Sequence, residues 1–288
     1  PLIGKAPGSQ EHRTGDSAAL SRLHRHPFHT AFLTGLSCLV RLRVKHKQPP
    51  VHPANMEVAM RIEDRAAATV RLLSEEYPDA HCLLEYGGVP YRLLLSTILS
   101  AQTTDESVNR VTPVLWKTFP DLPSLAEAER SEVERIVHSL GFFRSKAASI
   151  QGAAAWLLDN GGEVPREFDS LLLIPGVGRK TANVVRAELF GLPALIVDTH
   201  VKRLSCRLGF TSSADPGRIE QDLEKIIPPE KRTLFSHTVG FHGRRVCIAR
   251  RPGCPSCVLA GFCPRNGLPV GDNPEGCGER KSGRRRAD

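Results

Sequence analysis

The chain has 288 residues, 40% of them apolar and 24% charged, a globular balance that rules out wholesale disorder. No apolar run approaches the roughly 18 to 20 residues needed to span a bilayer, so an integral helical membrane protein is excluded and no membrane partner is expected. Eight Cys are too sparse for a disulfide scaffold, and four of them crowd into one short segment, which points to metal chemistry in a reducing compartment. The net charge of +8 is uneven: residues 1–55 contribute +6, residues 264–288 contribute +2, and 56–263 balance to zero. Any nucleic-acid contact by the central part must therefore come from local clusters.

Residues 1–55 hold six of the eleven His, several Pro and Gly, and no sustained helical period. Their apolar stretch from Phe28 to Val40 is short, lies between Arg22, Arg25, Arg41 and Arg43, and has no small-x-small cleavage site. A secretory signal is not expected, while an Arg-rich organellar transit peptide stays open. The only two Met are Met56 and Met60, where helical patterning begins. The expectation is a disordered basic leader or upstream extension over 1–55, with Met56 a candidate start.

From Met56 the pattern is helical. Ile62, Ala66, Val70 and Leu73 recur at three- and four-residue spacing, and segments 90–101, 104–118, 143–159, 179–190, 199–208, 217–226 and 230–241 follow suit. Gly87-Gly88, Pro120, Gly161-Gly162, Pro175-Gly176 and Pro228-Pro229 punctuate them. No alternating strand pattern and no repeat appears, so the fold class is all-α, with short helices and tight turns. The tail 265–288, with Arg284-Arg285-Arg286, is expected to be disordered and to add non-specific affinity for polyanions.

Within the helical region, Leu172-Leu173-Ile174-Pro175-Gly176-Val177-Gly178-Arg179-Lys180-Thr181-Ala182 stands out. Pro-Gly-x-Gly makes a tight hairpin whose glycines admit positive φ and close backbone approach. A helix starting near Gly178 aims its unsatisfied N–H groups and positive dipole end outward, an anion site suited to phosphate, with Gly176, Gly178, Arg179 and Thr181 as candidate contacts. An ordinary packing corner is the plainer alternative. Lys180 sits in the first helical turn. Desolvation and a helix N-terminus both disfavour an ammonium, and that is how a protein obtains an amine able to form a Schiff base. The alternative is a solvated cation on a phosphate.

Val197-Asp198-Thr199-His200 follows. Asp198 is a natural N-cap for the helix over 199–208. A carboxylate near the amine also suits stabilisation of positive charge on a sugar ring during glycosidic cleavage. Further on comes Cys247-x6-Cys254-x2-Cys257-x5-Cys263, interrupted by Pro252, Gly253 and Pro255. Four thiolates in so short a span wrap an inorganic centre, either a [4Fe–4S] cluster or zinc. Zinc modules usually use two close Cys pairs, so the long first gap favours iron–sulfur. Cys38, Cys82, Cys206 and Cys277 read as bystanders.

These motifs, with Leu99-Ser100-Ala101-Gln102-Thr103-Thr104-Asp105 and with His242-Gly243-Arg244 leading into the Cys pattern, resemble the endonuclease III family. That family comprises DNA glycosylase/AP lyases of the helix-hairpin-helix, Gly-Pro-Asp superfamily, and the resemblance runs from about Met56 to Cys263. It implies two lobes with DNA between them: a six-helix barrel over 82–192, and a lobe from 56–81 and 193–264 that carries a [4Fe–4S] cluster on Cys247, Cys254, Cys257 and Cys263. Lys180 would be the Schiff-base nucleophile and Asp198 the essential carboxylate. Gln102 would fill the gap left by an extruded nucleotide, and Phe142, in the loop 141–146, would wedge into the duplex. The plainer readings are a helix C-cap for Gln102 and a core residue for Phe142. Arg250 and Arg251 would offset the net −2 charge of a cluster with four thiolates and grip phosphate, or else form a solvated basic loop.

The implied partner is double-stranded DNA containing damaged pyrimidines or abasic sites. It would be bound by a monomer in the cytoplasm or nucleoid, or in an organelle or nucleus if the leader is a targeting segment. An adenine-mispair glycosylase of the same superfamily is a rival, but that family lacks a Lys at the position of Lys180. A non-catalytic helix-hairpin-helix DNA-binding protein is another, and it would need neither Lys180 nor Asp198.

Overall fold

A computed structural model describes residues 60–268; the expectations for the 1–55 leader, for Met56 and for most of the basic tail lie outside the described residues. Eleven α-helices follow one another in the described part: α1 (Ile62–Glu76), α2 (Pro90–Leu99), α3 (Asp105–Thr118), α4 (Leu122–Ala126), α5 (Arg130–Val137), α6 (Phe143–Asp159), α7 (Phe168–Leu172), α8 (Arg179–Phe190), α9 (Thr199–Arg207), α10 (Pro216–Glu224) and α11 (Arg232–Arg245). There is no strand among the described residues. No helix there is long and apolar enough to cross a membrane.

The helix starts follow from local chemistry. Thr104 caps α3 by accepting from the Ser107 N–H at 3.2 Å. Asp121 and Ser124 cap α4 reciprocally: Asp121 Oδ1 accepts from the Ser124 N–H at 2.9 Å, and Ser124 Oγ accepts from the Asp121 N–H at 3.3 Å. Pro90 and Pro216 occupy first turns, where a missing N–H does no harm. Gly191 ends α8 with φ +60, a conformation that costs an L residue but not glycine. The segments expected from periodicity are present within a few residues at each end. Helices α4, α5 and α7 add to them. Each spans at most eight residues, too few for the 3.6-residue period to register.

Two large hydrophobic cores divide these helices, and a small third cluster of Val184, Ala187, Ala194 and Ile196 adjoins them. The first gathers α2 through α8. Its central member is α2, where every residue from Leu93 to Leu99 is buried, and Leu115, Val133, Ile150, Leu157, Leu171 and Val185 close round it. A helix apolar on all sides belongs at the middle of a bundle. The second core joins α1 to α9, α10 and α11 through Leu73, Val201, Leu204, Leu223, Phe235 and Val239. Each fully buried Leu or Phe contributes about 1.5–3 kcal/mol, so either core alone carries a substantial share of the driving force.

Polar contacts from α8 join the two cores. Asn183, 2% exposed, donates from Nδ2 to the Leu195 carbonyl and to Glu220 Oε1, both at 2.9 Å. Glu188 Oε1 lies 2.8 Å from His237 Nε2 on α11. Arg244 of α11 reaches Asp105, at the start of α3, at 3.6 Å. Between these bridges the two cores leave an open cleft.

Candidate functional site

The hairpin before α8 is built around Gly176. Its φ of +81 is left-handed, and a Cβ there would stand 2.7 Å from Ser149 Cβ and 3.1 Å from Ile98 Cγ2. Glycine is therefore required twice, by conformation and by the close approach of α6 and α2. Gly178 differs. It is the N-cap of α8 with φ −106, it offers no side-chain cap, and nothing lies within 4 Å of where its Cβ would be. The expectation of positive φ at both glycines holds for Gly176 alone; Gly178 instead leaves open space before uncapped N–H groups. That is the geometry of an anion site at a helix N-terminus.

Lys180 and Asp198 line one solvent-open cleft, together with Asp105, Ser236, His237 and Arg244. Asp198 also caps α9: its Oδ1 accepts from the His200 N–H at 2.8 Å and the Val201 N–H at 2.7 Å. Capping and cleft-facing positions are thus both occupied by the same carboxylate. Lys180 itself is exposed. The expectation of a desolvated amine is corrected: α8 delivers Lys180 to the cleft surface, because the hairpin places its first turn at the rim and not in the core.

The neighbours of Lys180 in sequence behave differently from one another. Arg179 pairs with Glu220 at 3.2 Å and lies over the Phe168 ring at 4.9 Å, so its guanidinium has partners within the fold. The Thr181 side chain is 9% exposed, which leaves its backbone N–H as the group able to face an anion. Cys82, read as a bystander, lines the cleft. Burial pushes its thiol up to about 11, which keeps it protonated at neutral pH.

A second groove is lined by Gln102, Phe142, Lys146, Ser149 and Gly176. Gln102 and Phe142 both have positive φ, +54 and +48, unusual for residues with a side chain. Phe142 is 66% exposed, so the core reading fails for it. Gln102 is exposed as well, beyond the end of α2. An aromatic side chain held outward in a left-handed conformation is a local conflict of the kind found at functional sites.

The Cys segment follows α11. Among the described residues no carboxylate pairs with Arg207, which is 7% exposed and turns its guanidinium to the segment after α11. Its Nη1 donates to the Ile248 carbonyl at 2.9 Å and to Cys247 Sγ at 3.2 Å, and its Nη2 donates to the Ala249 carbonyl at 2.6 Å. Arg203 donates to the carbonyls of Gly243 at 2.9 Å and Cys247 at 3.0 Å. Helix α9, capped by Asp198, is thereby fastened to the first Cys. The fit of α9 on α11 depends on Gly243, where a Cβ would stand 2.8 Å from the His200 ring.

Among the described residues, no three His, Cys, Asp or Glu side chains gather tightly enough to hold a single metal ion. The four Cys nonetheless feel one another. Burial first, and then charge on Cys247, Cys263 and Cys254, push the Cys257 thiol up to about 11. Cys257 Sγ also lies 3.4 Å from the Leu259 N–H and 3.2 Å from His242 Nε2. Burial lowers His242 to about 4, so its ring is neutral and carries one N–H. Tyr77, held up to about 12 chiefly by burial, keeps its hydroxyl proton and lies 2.9 Å from His242 Nδ1. The neutral ring bridges the Tyr77 hydroxyl and the Cys257 sulfur, and which nitrogen donates follows from its tautomer. Donors aimed at Cys247 and Cys257 suit a set of thiolates holding a soft metal centre. Arg250 and Arg251 are both exposed beside that segment.

The residues the sequence did not single out are Glu188, His237 and Asn183, which bridge the cores beside the cleft. Asp105 and Arg244 stand inside recognisable motifs, but nothing in their spacing announces that they pair.

Residues 95–229 match the family model described as an HhH-GPD superfamily base excision DNA repair protein. Endonuclease III of Synechocystis is 52% identical over 204 residues, which cover 70% of this chain and 93% of that protein. A solved non-covalent endonuclease III–DNA complex superposes with a TM-score of 0.68 at 42% identity, covering 71% of this chain and 96% of that one. A trapped endonuclease III–DNA covalent intermediate, an estranged-adenine complex, gives the same figures. A chain that covers nearly all of a relative at this identity shares its fold and its lineage: it belongs to the endonuclease III family of HhH-GPD base excision DNA repair proteins.

Proposed function

We propose that this protein is a bifunctional repair enzyme that removes oxidised pyrimidines from duplex DNA and then nicks the strand 3′ to the abasic site. The reading rests on Lys180 and Asp198 opening onto the same cleft beside an anion-accepting hairpin. The Lys180 lone pair bonds to the sugar C1′ as the glycosidic bond breaks, and that bond's electrons leave with the base. Asp198 stabilises the positive charge that builds on the sugar. Lys180 is exposed in the free protein, and DNA covering the cleft would exclude water from it. The nitrogen then sheds a proton and the C1′–O4′ bond opens, its electron pair leaving on O4′, which takes up a proton; the C1′=N Schiff base so formed acidifies the C2′ proton. Loss of that proton expels the 3′ phosphate oxygen from C3′.

The other candidates position the duplex. Backbone N–H groups from Gly178 to Thr181 hold a phosphate. Phe142 and Gln102 enter the base stack, and the wedge helps offset the few kcal/mol that unstacking costs. Arg250 and Arg251 contact the backbone. Arg179, occupied by Glu220 and Phe168, contributes its N–H before its guanidinium. Cys247, Cys254, Cys257 and Cys263 would hold a [4Fe–4S] cluster, which when bound supplies a cross-link for the segment after α11 and a net charge of −2. Their separate cores support reading 82–192 as the barrel lobe and 56–81 with 193–264 as the cluster lobe. The enzyme is read as a monomer acting wherever the cell keeps its DNA, cytoplasm or nucleoid, or an organelle or nucleus if the basic leader is a targeting segment.

A panel of lesion duplexes under borohydride tests this. A thymine-glycol duplex should be trapped covalently and, without borohydride, cut. Binding without cutting, or action confined to adenine mispairs, would replace this reading with one of its rivals.

A further inference from the structure

Lys146 lines the groove that holds Gln102 and Phe142, yet it is 4% exposed. Among the described residues no carboxylate forms an ion pair with it. Its Nζ donates to the Leu140 carbonyl at 2.8 Å, and its backbone N–H donates to the Phe142 carbonyl at 3.0 Å. The chain between those two carbonyls is the tip, Gly141 and Phe142, that leads into α6. There Gly141 has φ +69 and ψ 160, a region open essentially to glycine alone, and Phe142 has φ +48 and ψ 29. The backbone bond is the first of α6; what the Lys146 side chain adds is the bond to the Leu140 carbonyl, which ties the far flank of both left-handed residues to that first turn.

The rest of the loop is arranged to the same end. The His138 ring packs on Phe143 at 4.5 Å, and Arg144 lies over Phe143 at 5.0 Å. Phe143 is thus engaged while Phe142 projects. Burial lowers the Lys146 pKa, a penalty that a surface lysine escapes. An apolar residue of the same length would fill the space without that penalty. It would not, however, supply a donor to the Leu140 carbonyl.

We infer that Lys146 is a positioning residue for duplex entry: it locks the Gly141–Phe142 tip in the conformation that presents Phe142 to the base stack beside Gln102. This rests on the wedge role proposed above for Phe142. It concerns how the wedge is held, and Lys146 touches no reacting atom.

The test is Lys146→Met, which keeps the stem and removes the donor, alongside Lys146→Arg. Two substrates separate entry from chemistry: a thymine-glycol duplex, and a single-stranded abasic oligonucleotide that has no stack to open. Loss of kcat/KM on the duplex should exceed loss on the single strand by about tenfold, and Lys146→Arg should restore most of it. A duplex carrying a tetrahydrofuran abasic analogue opposite 2-aminopurine should show a smaller fluorescence rise with Lys146→Met. In a Phe142→Ala background, Lys146→Met should add less than about twofold, because both changes remove one function. Equal losses on the two substrates, or additive effects in the double variant, would overturn the inference. Should Lys146→Met fail to fold, Gly141→Ala disturbs the tip without touching the amine, since nothing lies within 4 Å of its Cβ. It must reproduce the duplex-selective loss, and a uniform loss would refute the idea. If the unaltered protein cuts neither substrate, the enzymatic reading falls, and the 2-aminopurine signal alone decides the role of Lys146.

Discussion

Replacing Gly176 and Gly178 separately by alanine pulls apart two roles that the hairpin combines. At Gly176 the backbone sits at φ +81, and left-handed geometry costs an L residue about 1–2 kcal/mol. The new Cβ also lies 2.7 Å from Ser149 Cβ, an atom with no freedom to swing aside, and relieving that overlap costs about 1–3 kcal/mol more. A total of about 2–5 kcal/mol in a fold of this size lowers the melting temperature by roughly 5–15 °C. At Gly178 the φ of −106 suits alanine and the space is empty, so the stability change should stay within about 1 kcal/mol. The methyl group there stands where a phosphate would approach the uncapped N–H groups, and affinity for an abasic-analogue duplex should fall about tenfold, or 1.4 kcal/mol. Melting at one fixed scan rate and fluorescence anisotropy read the two effects. A Gly178→Ala protein that melts as low as Gly176→Ala, or that binds DNA unchanged, would refute the assignment of the hairpin as an anion site.

The same logic separates capping from chemistry at Asp198. Asparagine caps nearly as well as aspartate, so Asp198→Asn should melt within about 2 °C of the parent while base release falls at least about a hundredfold; near-normal turnover would reduce Asp198 to a cap. Replacing Arg250 and Arg251 together by alanine should weaken binding to all duplexes alike. It should also flatten the plot of log affinity against log salt, by about 0.9 in slope for each phosphate no longer neutralised, and an unchanged slope argues against a role in gripping the backbone.

How much of this was legible depended on how local each feature is. The all-α fold could be read because Ile62, Ala66, Val70 and Leu73 mark a helical face and because Gly and Pro pairs separate the helices. Helices α4 and α7, five residues each, carry too little pattern to be seen. The hairpin and the four Cys were visible because their residues are adjacent in the chain. The pairing of Arg244 with Asp105 was not, since it joins the ends of two helices far apart in sequence. The exposure of Lys180 was also hidden, because sequence names a residue's place on its helix but not the depth at which that helix is set. Phe142 shows the opposite limit. Its left-handed backbone and outward ring depend on Lys146 and Gly141 on either side, a local arrangement that composition alone does not announce.

The proposed catalysis turns on one amine, Lys180 on the first turn of α8, bonding covalently to deoxyribose. Borohydride reduction of the Lys180→Ala protein on a thymine-glycol duplex isolates that bond, with visible absorbance confirming that the Cys segment is unchanged. The trapped protein–DNA species should disappear while the spectrum and DNA binding persist. A trapped species of undiminished yield would contradict the assignment, because another nitrogen would then be forming the covalent link.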